Sequence, residues 1–144
     1  MALVSNILTQ VCISLIAVAG VYVLTGLTGM FSLGQAAFMA IGSYASGLLV
    51  VKAGLPLVPA CILAVAVAVA VGYLIGYPVV RLRRDYISLV TLGFGEAIAA
   101  LLNRMTSLTG GASGLTGIPR KTTLLIAFIS SAAAVCLTAF FKTS

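Results

Sequence analysis

MALVSNILTQVCISLIAVAGVYVLTGLTGMFSLGQAAFMAIGSYASGLLVV, residues 1–51, carries no charged side chain. A bilayer span needs ~20 largely apolar residues, so this stretch alone has room for two. The rest of the chain continues the pattern. Of 144 residues 62% are hydrophobic and only 7% charged, against roughly a quarter charged in a soluble domain. Too little polar surface exists to clothe a soluble fold, and the sequence reads as one integral membrane domain over residues 1–144. The opening run has no Lys/Arg region ahead of it and exceeds the ~7–15 residues of a signal-peptide core, so it reads as the first span.

Five apolar segments follow from the hydropathy pattern: 3–27, 33–51, 57–80, 86–102 and 123–141. Transmembrane strands would be ~10 residues long with apolar/polar alternation. These runs are longer and apolar on every face, which predicts helices. The expected fold is therefore an all-α bundle of about five transmembrane helices, some short or broken. The fourth segment is the candidate for a break: its roughly 17 residues cover only ~25 Å as a helix, and it contains Gly93, Gly95 and Glu96. Short, Gly-interrupted segments are where transporters place binding sites.

Gly and Pro punctuate the chain. Gly26, Gly29 and Gly34 surround the first joint; Lys52, Gly54 and Pro56 form the second, with Pro59 in the next helix's first turn, where proline is tolerated. The third joint, Arg81-Leu-Arg-Arg-Asp85, is tight and charged, and the fourth runs from Asn103 to Lys121 with Gly110, Gly111, Gly114 and Gly117 before Pro119. Basic residues beside spans mark the cytoplasmic face. Arg81, Arg83 and Arg84, with Asp85, put the third joint inside; Arg104, Arg120 and Lys121 argue the opposite but are spread along a longer loop. The dense cluster is preferred, which places the 26–34 joint and the C-terminus inside and the Lys52 joint outside.

Composition excludes much chemistry. With no His and only Asp85 and Glu96 as acids, little remains for acid/base catalysis or a metal site, and no catalytic residue, cofactor or metal is expected. Cys12, Cys61 and Cys136 stand apart in apolar stretches and read as packing residues. The net charge of +6 comes from short clusters between apolar runs, a topology signal rather than a nucleic-acid footprint. Thr109-Gly-Gly-Ala-Ser-Gly114 lacks the Gly-Lys-Ser/Thr ending of a phosphate loop. Gly72 and Gly76, and Ala36, Ala40 and Gly47, are small residues at helix-packing intervals.

Glu96 is the only ionisable group well inside an apolar segment. A lone carboxylate costs ~3 kcal/mol on insertion scales, so it must face a helix interface or aqueous path, find a partner, or carry a proton. Arg104 is two turns along the same helix, too far for a direct local pair. Ser32, Gln35, Tyr44, Thr91 and Glu96, with Gly34 at a helix end, are the polar groups of the two Gly-softened segments. They are the candidate lining of a substrate route, because polar groups at membrane depth need partners that water or substrate can supply. The bland alternative is bonding between helices, worth ~0.6 kcal/mol each.

Three motifs carry a family resemblance. Thr25-Gly-Leu-Thr-Gly-Met-Phe-Ser-Leu-Gly-Gln-Ala-Ala-Phe-Met-Ala-Ile-Gly-Ser-Tyr44, Arg81-Leu-Arg-Arg-Asp-Tyr-Ile-Ser-Leu-Val-Thr-Leu-Gly-Phe-Gly-Glu96 and Thr106-Ser-Leu-Thr-Gly-Gly-Ala-Ser-Gly-Leu-Thr-Gly-Ile-Pro119 occur in the order seen in the membrane permeases of branched-chain amino-acid ABC importers. The resemblance is to the M-type subunit of the Liv system, over its N-terminal half. Ser43 replaces the usual Ala, and Arg84 stands where Gly is usual. The resemblance implies a multi-pass protein of the bacterial inner membrane. Its partners would be a second permease subunit, two cytoplasmic ATPase subunits, a periplasmic amino-acid-binding protein and membrane lipid. Family members are about twice as long, so the expectation is a truncated product or half of a split permease, lacking the segment that docks on the ATPase. Related permeases for urea or other amides share these motifs. Two other classes remain: a small proton-coupled carrier using Glu96, and an inactive structural remnant.

Overall fold

The computed structural model describes residues 1–117 and 124–144. Among them no strand forms, and five helices are long and apolar enough to cross a membrane. These are α1 (Ala2–Thr28), α2 (Gln35–Ala53), α3 (Leu57–Val79), α4 (Arg84–Arg104) and α6 (Leu124–Thr143). A one-turn helix, α5 (Thr106–Thr109), and a 3-10 turn (Gly111–Ser113) follow α4. Thr123, expected to open the last segment, and Ile118, Pro119, Arg120 and Lys121 of the fourth joint lie outside the described residues.

The expected break in the fourth segment is absent. α4 is one continuous helix of 21 residues, about 31 Å long, which passes through Gly93 and Gly95. The apolar run understated it because Arg84, Asp85, Asn103 and Arg104, polar residues at its ends, are helical too. α2 instead begins two residues later than its apolar run, at Gln35, leaving Ser32–Gly34 outside any helix.

The chain forms two compact units. The first joins α1 to α6. The C-terminal turns of both helices, Tyr22 to Leu27 and Thr138 to Lys142, border one cleft of about 180 Å³, so the two helices run parallel. Cys12, Ala127 and Ser131 are its buried residues; small side chains let backbones approach where lipid offers no hydrophobic drive. Uncharged polar groups are neutralised within their own helices: Thr9, Ser14 and Thr25 donate to the carbonyls of Ser5, Gln10 and Val21 at 2.8, 2.9 and 2.7 Å. That back-bonding lets hydroxyls sit in an apolar medium. Gly29 ends α1 in the left-handed conformation with φ 66°, which costs glycine nothing.

The second unit holds α2, α3, α4 and α5. α2 lies between its neighbours. The Phe38 ring meets Phe94 of α4 at 5.7 Å between centroids, and a Cβ on Gly72 of α3 would touch it at 3.5 Å. Gly76, the other half of the small-residue pair, has nothing within 4 Å; the buried small pair of α3 is Ala60 and Ala64 near its other end. Contacts of α2 with α4 keep nearly one register: Leu33 with Thr91, Phe38 with Phe94, and Lys52 with Ser107. The two helices are therefore parallel, with α3 antiparallel between them in sequence. Pro78 lies in the last turn of α3, and residues 80–83 make the tight joint to α4.

Candidate functional site

The register of α2 on α4 sets the depth of the Ser32–Gly34 joint. Thr91 lies two turns beyond Arg84, about 10 Å along α4. Thr91 is buried, and its hydroxyl oxygen accepts the Leu33 N–H at 3.1 Å. α2 thus starts about two turns deeper than α4 does. Non-helical backbone at such depth is tolerated only where protein buries it or water reaches it. Here two of the three local N–H groups are met by hydroxyls: Leu33 by Thr91, and Gly34 by Ser32 Oγ at 3.4 Å.

Thr91 serves two backbones. Its own proton goes back to the Ile87 carbonyl at 2.8 Å, with that of Ser88 at 3.1 Å; its lone pair takes Leu33. Gly34 is buried, and a Cβ there would already stand 3.4 Å from the Thr91 Cβ. This close approach explains the glycine without invoking unusual dihedrals, since φ is −79°. No side chain caps the first turn of α2, so the positive end of its dipole is compensated by no local acid.

Of the six residues read as a route, Ser32, Gly34 and Thr91 come together. Gln35 is the next residue and half-buried. Tyr44 is also half-buried but stands two and a half turns along α2, on the side opposite Gln35. Glu96 is exposed on its unit, about 140° around α4 from Thr91 and five residues deeper. Among the described residues nothing bonds to Glu96, and Arg104 does not reach it. Arg81, Arg83, Arg84 and Asp85 are all exposed at the α3–α4 joint.

Sequence reading missed two features. Phe38 and Phe94 each follow a site residue by three positions, Gln35 and Thr91, and that shared spacing was the available signal for their stacking. At the other end of α4, Thr109 is 2% exposed. Its hydroxyl lies 2.5 Å from Leu102 O and 2.9 Å from Met105 O and accepts the Gly111 N–H at 3.3 Å. Lys52 Nζ donates to Ser107 O at 3.3 Å, tying the second joint to this cap. Among the described residues no three His, Cys, Asp or Glu cluster as a metal site would need. The three cysteines are free, Cys12 buried and Cys61 and Cys136 exposed.

Five long apolar helices, with polar groups gathered where one starts partway along another, define a multi-pass α-helical membrane protein. Comparison with known proteins carries this further. The chain belongs to the family described as branched-chain amino acid transport system / permease component, whose sequence profile matches residues 3–142. Two relatives are similar over 88% of the chain. They are the high-affinity branched-chain amino acid transport system permease proteins LivM of Salmonella typhimurium, 42% identical over 126 residues, and of Escherichia coli strain K12, 41% identical over 127. The chain spans about 30% of the length of each, so these relatives are roughly three times as long as the chain rather than twice, and the match covers less than half of them. No solved structure matches.

Proposed function

We propose that this chain supplies the N-terminal spans of an importer permease for branched-chain amino acids, in the bacterial inner membrane, and that residues 1–144 act as one membrane domain there. The observation that carries the reading is the polar joint at Ser32–Gly34, held at depth by Thr91, inside the stretches that resemble the family's motifs. A zwitterionic substrate needs backbone donors and acceptors where water is scarce, and a helix start within the bilayer offers both. Ser32, Gly34, Gln35, Tyr44, Thr91 and Glu96 line the route in this proposal. The partners are a second permease subunit, two cytoplasmic ATPase subunits and a periplasmic amino-acid-binding protein. The partner ATPases hydrolyse ATP and shift the bundle between outward and inward states; this chain is a transport subunit and not an enzyme.

The test uses a full-length permease with the same motifs, reconstituted with its ATPase and binding protein. Gln35→Ala or Glu96→Gln is expected to lower leucine uptake while assembly and thermal stability hold. Uptake that falls only in proportion to lost folded protein would make these residues structural. One observation favours a second reading: Glu96 is unpaired among the described residues, as the proton site of a secondary carrier would be. That carrier would accumulate substrate with no ATPase present and stop on Glu96→Gln.

A further inference from the structure

The α3–α4 joint holds three guanidinium groups, Arg81, Arg83 and Arg84, within four residues. All three are exposed, and among the described residues no carboxylate forms an ion pair with them, although Asp85 is adjacent. Like charges this close repel one another, modestly where water and salt screen them, and an anion placed among them would be attracted by all three.

Arg81 is also held in place. Its Nη2 donates to the Tyr77 hydroxyl at 2.5 Å, and its guanidinium carbon stands 4.6 Å from the centroid of that ring. Tyr77 in turn lies 6.4 Å from Tyr73 between centroids. Tyr73 and Tyr77 on α3 and Arg81 just past its end, spaced four residues apart, form a ladder, with Tyr73 75% and Tyr77 58% exposed. From Arg81 to Tyr73 the ladder descends two turns, about 12 Å into the span. Leu74, Val80, Leu82 and Tyr86 around it are exposed apolar or aromatic groups.

A soluble acidic protein would meet the arginines but would leave the lower tyrosines, inside the span, without a partner. A phospholipid matches both ends of the ladder. Its phosphate suits the planar donor fork of arginine; its glycerol region and upper acyl chain suit tyrosine rings, which favour the interface because they are apolar with a polar tip. The Tyr77 contacts fix Arg81 beforehand, so less side-chain freedom is lost on binding.

We propose that Arg81, Arg83 and Arg84, with Tyr73 and Tyr77, hold an anionic phospholipid at the α3–α4 joint. The headgroup phosphate rests on the guanidinium groups and the glycerol lies along the tyrosine ladder. This does not depend on which substrate the permease carries or on which face of the membrane the joint occupies.

The experiment places the purified full chain in phosphatidylcholine vesicles with trace spin-labelled phosphatidylglycerol or spin-labelled phosphatidylcholine, and measures the motionally restricted fraction of each. Each arginine near an anionic headgroup shifts the equilibrium by about fivefold. The wild-type chain should prefer phosphatidylglycerol by at least that factor, and Arg83→Gln/Arg84→Gln should lower the preference by roughly 10- to 30-fold, or to parity. Tyr77→Phe keeps the ring but removes the hydroxyl that holds Arg81, and should give a smaller loss. Inorganic phosphate should not displace the lipid, because it brings no glycerol or acyl chain. If the double variant fails to insert, ionic strength decides with the wild-type chain, since salt screens exposed charges. A preference that ignores salt overturns the proposal, as does equal restriction of the two lipids. So does an Arg-dependent association with the ATPase subunit in detergent without any lipid preference, which would make the joint a protein contact.

Discussion

Thr91→Val isolates the contact that holds the Ser32–Gly34 joint at depth. Valine keeps the Cβ that lies against Gly34 and nearly the whole side-chain volume, and it puts a methyl in place of the hydroxyl. The Leu33 N–H, 3.1 Å from that oxygen, then has no acceptor in a place water enters with difficulty. An orphaned buried donor costs about 1–3 kcal/mol, whereas side-chain hydrogen bonds within membranes average ~0.6 and reach ~1.7 kcal/mol. The carbonyls of Ile87 and Ser88 lose little, because each remains within the helix ladder of α4. The expected loss is therefore about 1–2 kcal/mol, a roughly 5- to 30-fold fall in the folded-to-unfolded ratio. Unfolding by sodium dodecyl sulfate in mixed micelles measures it. Thr91→Ser is the control: it loses a buried methyl, worth ~0.8 kcal/mol, but keeps the acceptor. Amide exchange at Leu33 separates the two, with protection retained in the serine variant and lost in the valine one. A valine variant as stable as wild type, with Leu33 still protected, would refute the reasoning and imply another acceptor for that N–H.

Two further outcomes are expected. Gly110 has φ 75°, and a Cβ there would collide with the Gly114 carbonyl oxygen; Gly110→Ala should cost more than ~1 kcal/mol and open the segment 106–114 to proteolysis, whereas an unaltered cleavage pattern would show that this turn is not fixed as described. In a chain whose three native cysteines are replaced, Arg83→Cys should react with an impermeant thiol reagent only from the cytoplasmic side, and labelling from the outside would reverse the assigned orientation.

The spans were readable because lipid permits few alternatives: a backbone in hydrocarbon must satisfy its own hydrogen bonds, so a long apolar run becomes a helix whatever its propensities. Their limits were less readable, since hydropathy ends where polar residues begin while the helix ladder does not. Asp85 and Arg104 both continue α4, each on the dipole end that favours its charge. Of the candidate site, Thr91 stood out as a polar residue in an apolar run. Its partner is a backbone N–H 58 positions earlier in the chain, and side-chain chemistry alone cannot announce a main-chain partner. Thr109 was hidden for the same reason, because its importance lies in carbonyls that only the folded turn brings together.

Gly93 and Gly95 made α4 the natural candidate for a broken helix, and α4 is unbroken. Glycine weakens a helix by about 1 kcal/mol in water, where solvent can accept the released N–H groups. In hydrocarbon each released group costs several times more, so two glycines that keep their N–H donors do not interrupt a span. What interrupts a span is an alternative set of partners for the backbone. The 29–34 joint has one: Gly29 ends α1 at a positive φ, Ser32 Oγ meets the Gly34 N–H, and Thr91 Oγ1 meets that of Leu33. A membrane helix therefore starts at depth where hydroxyls receive the N–H groups of the joint just before it, and glycine count alone is a poor guide to that place. For this chain the consequence is specific. The non-helical polar backbone lies just before α2, beside Thr91, and not in the middle of α4, where Glu96 is the one ionisable side chain.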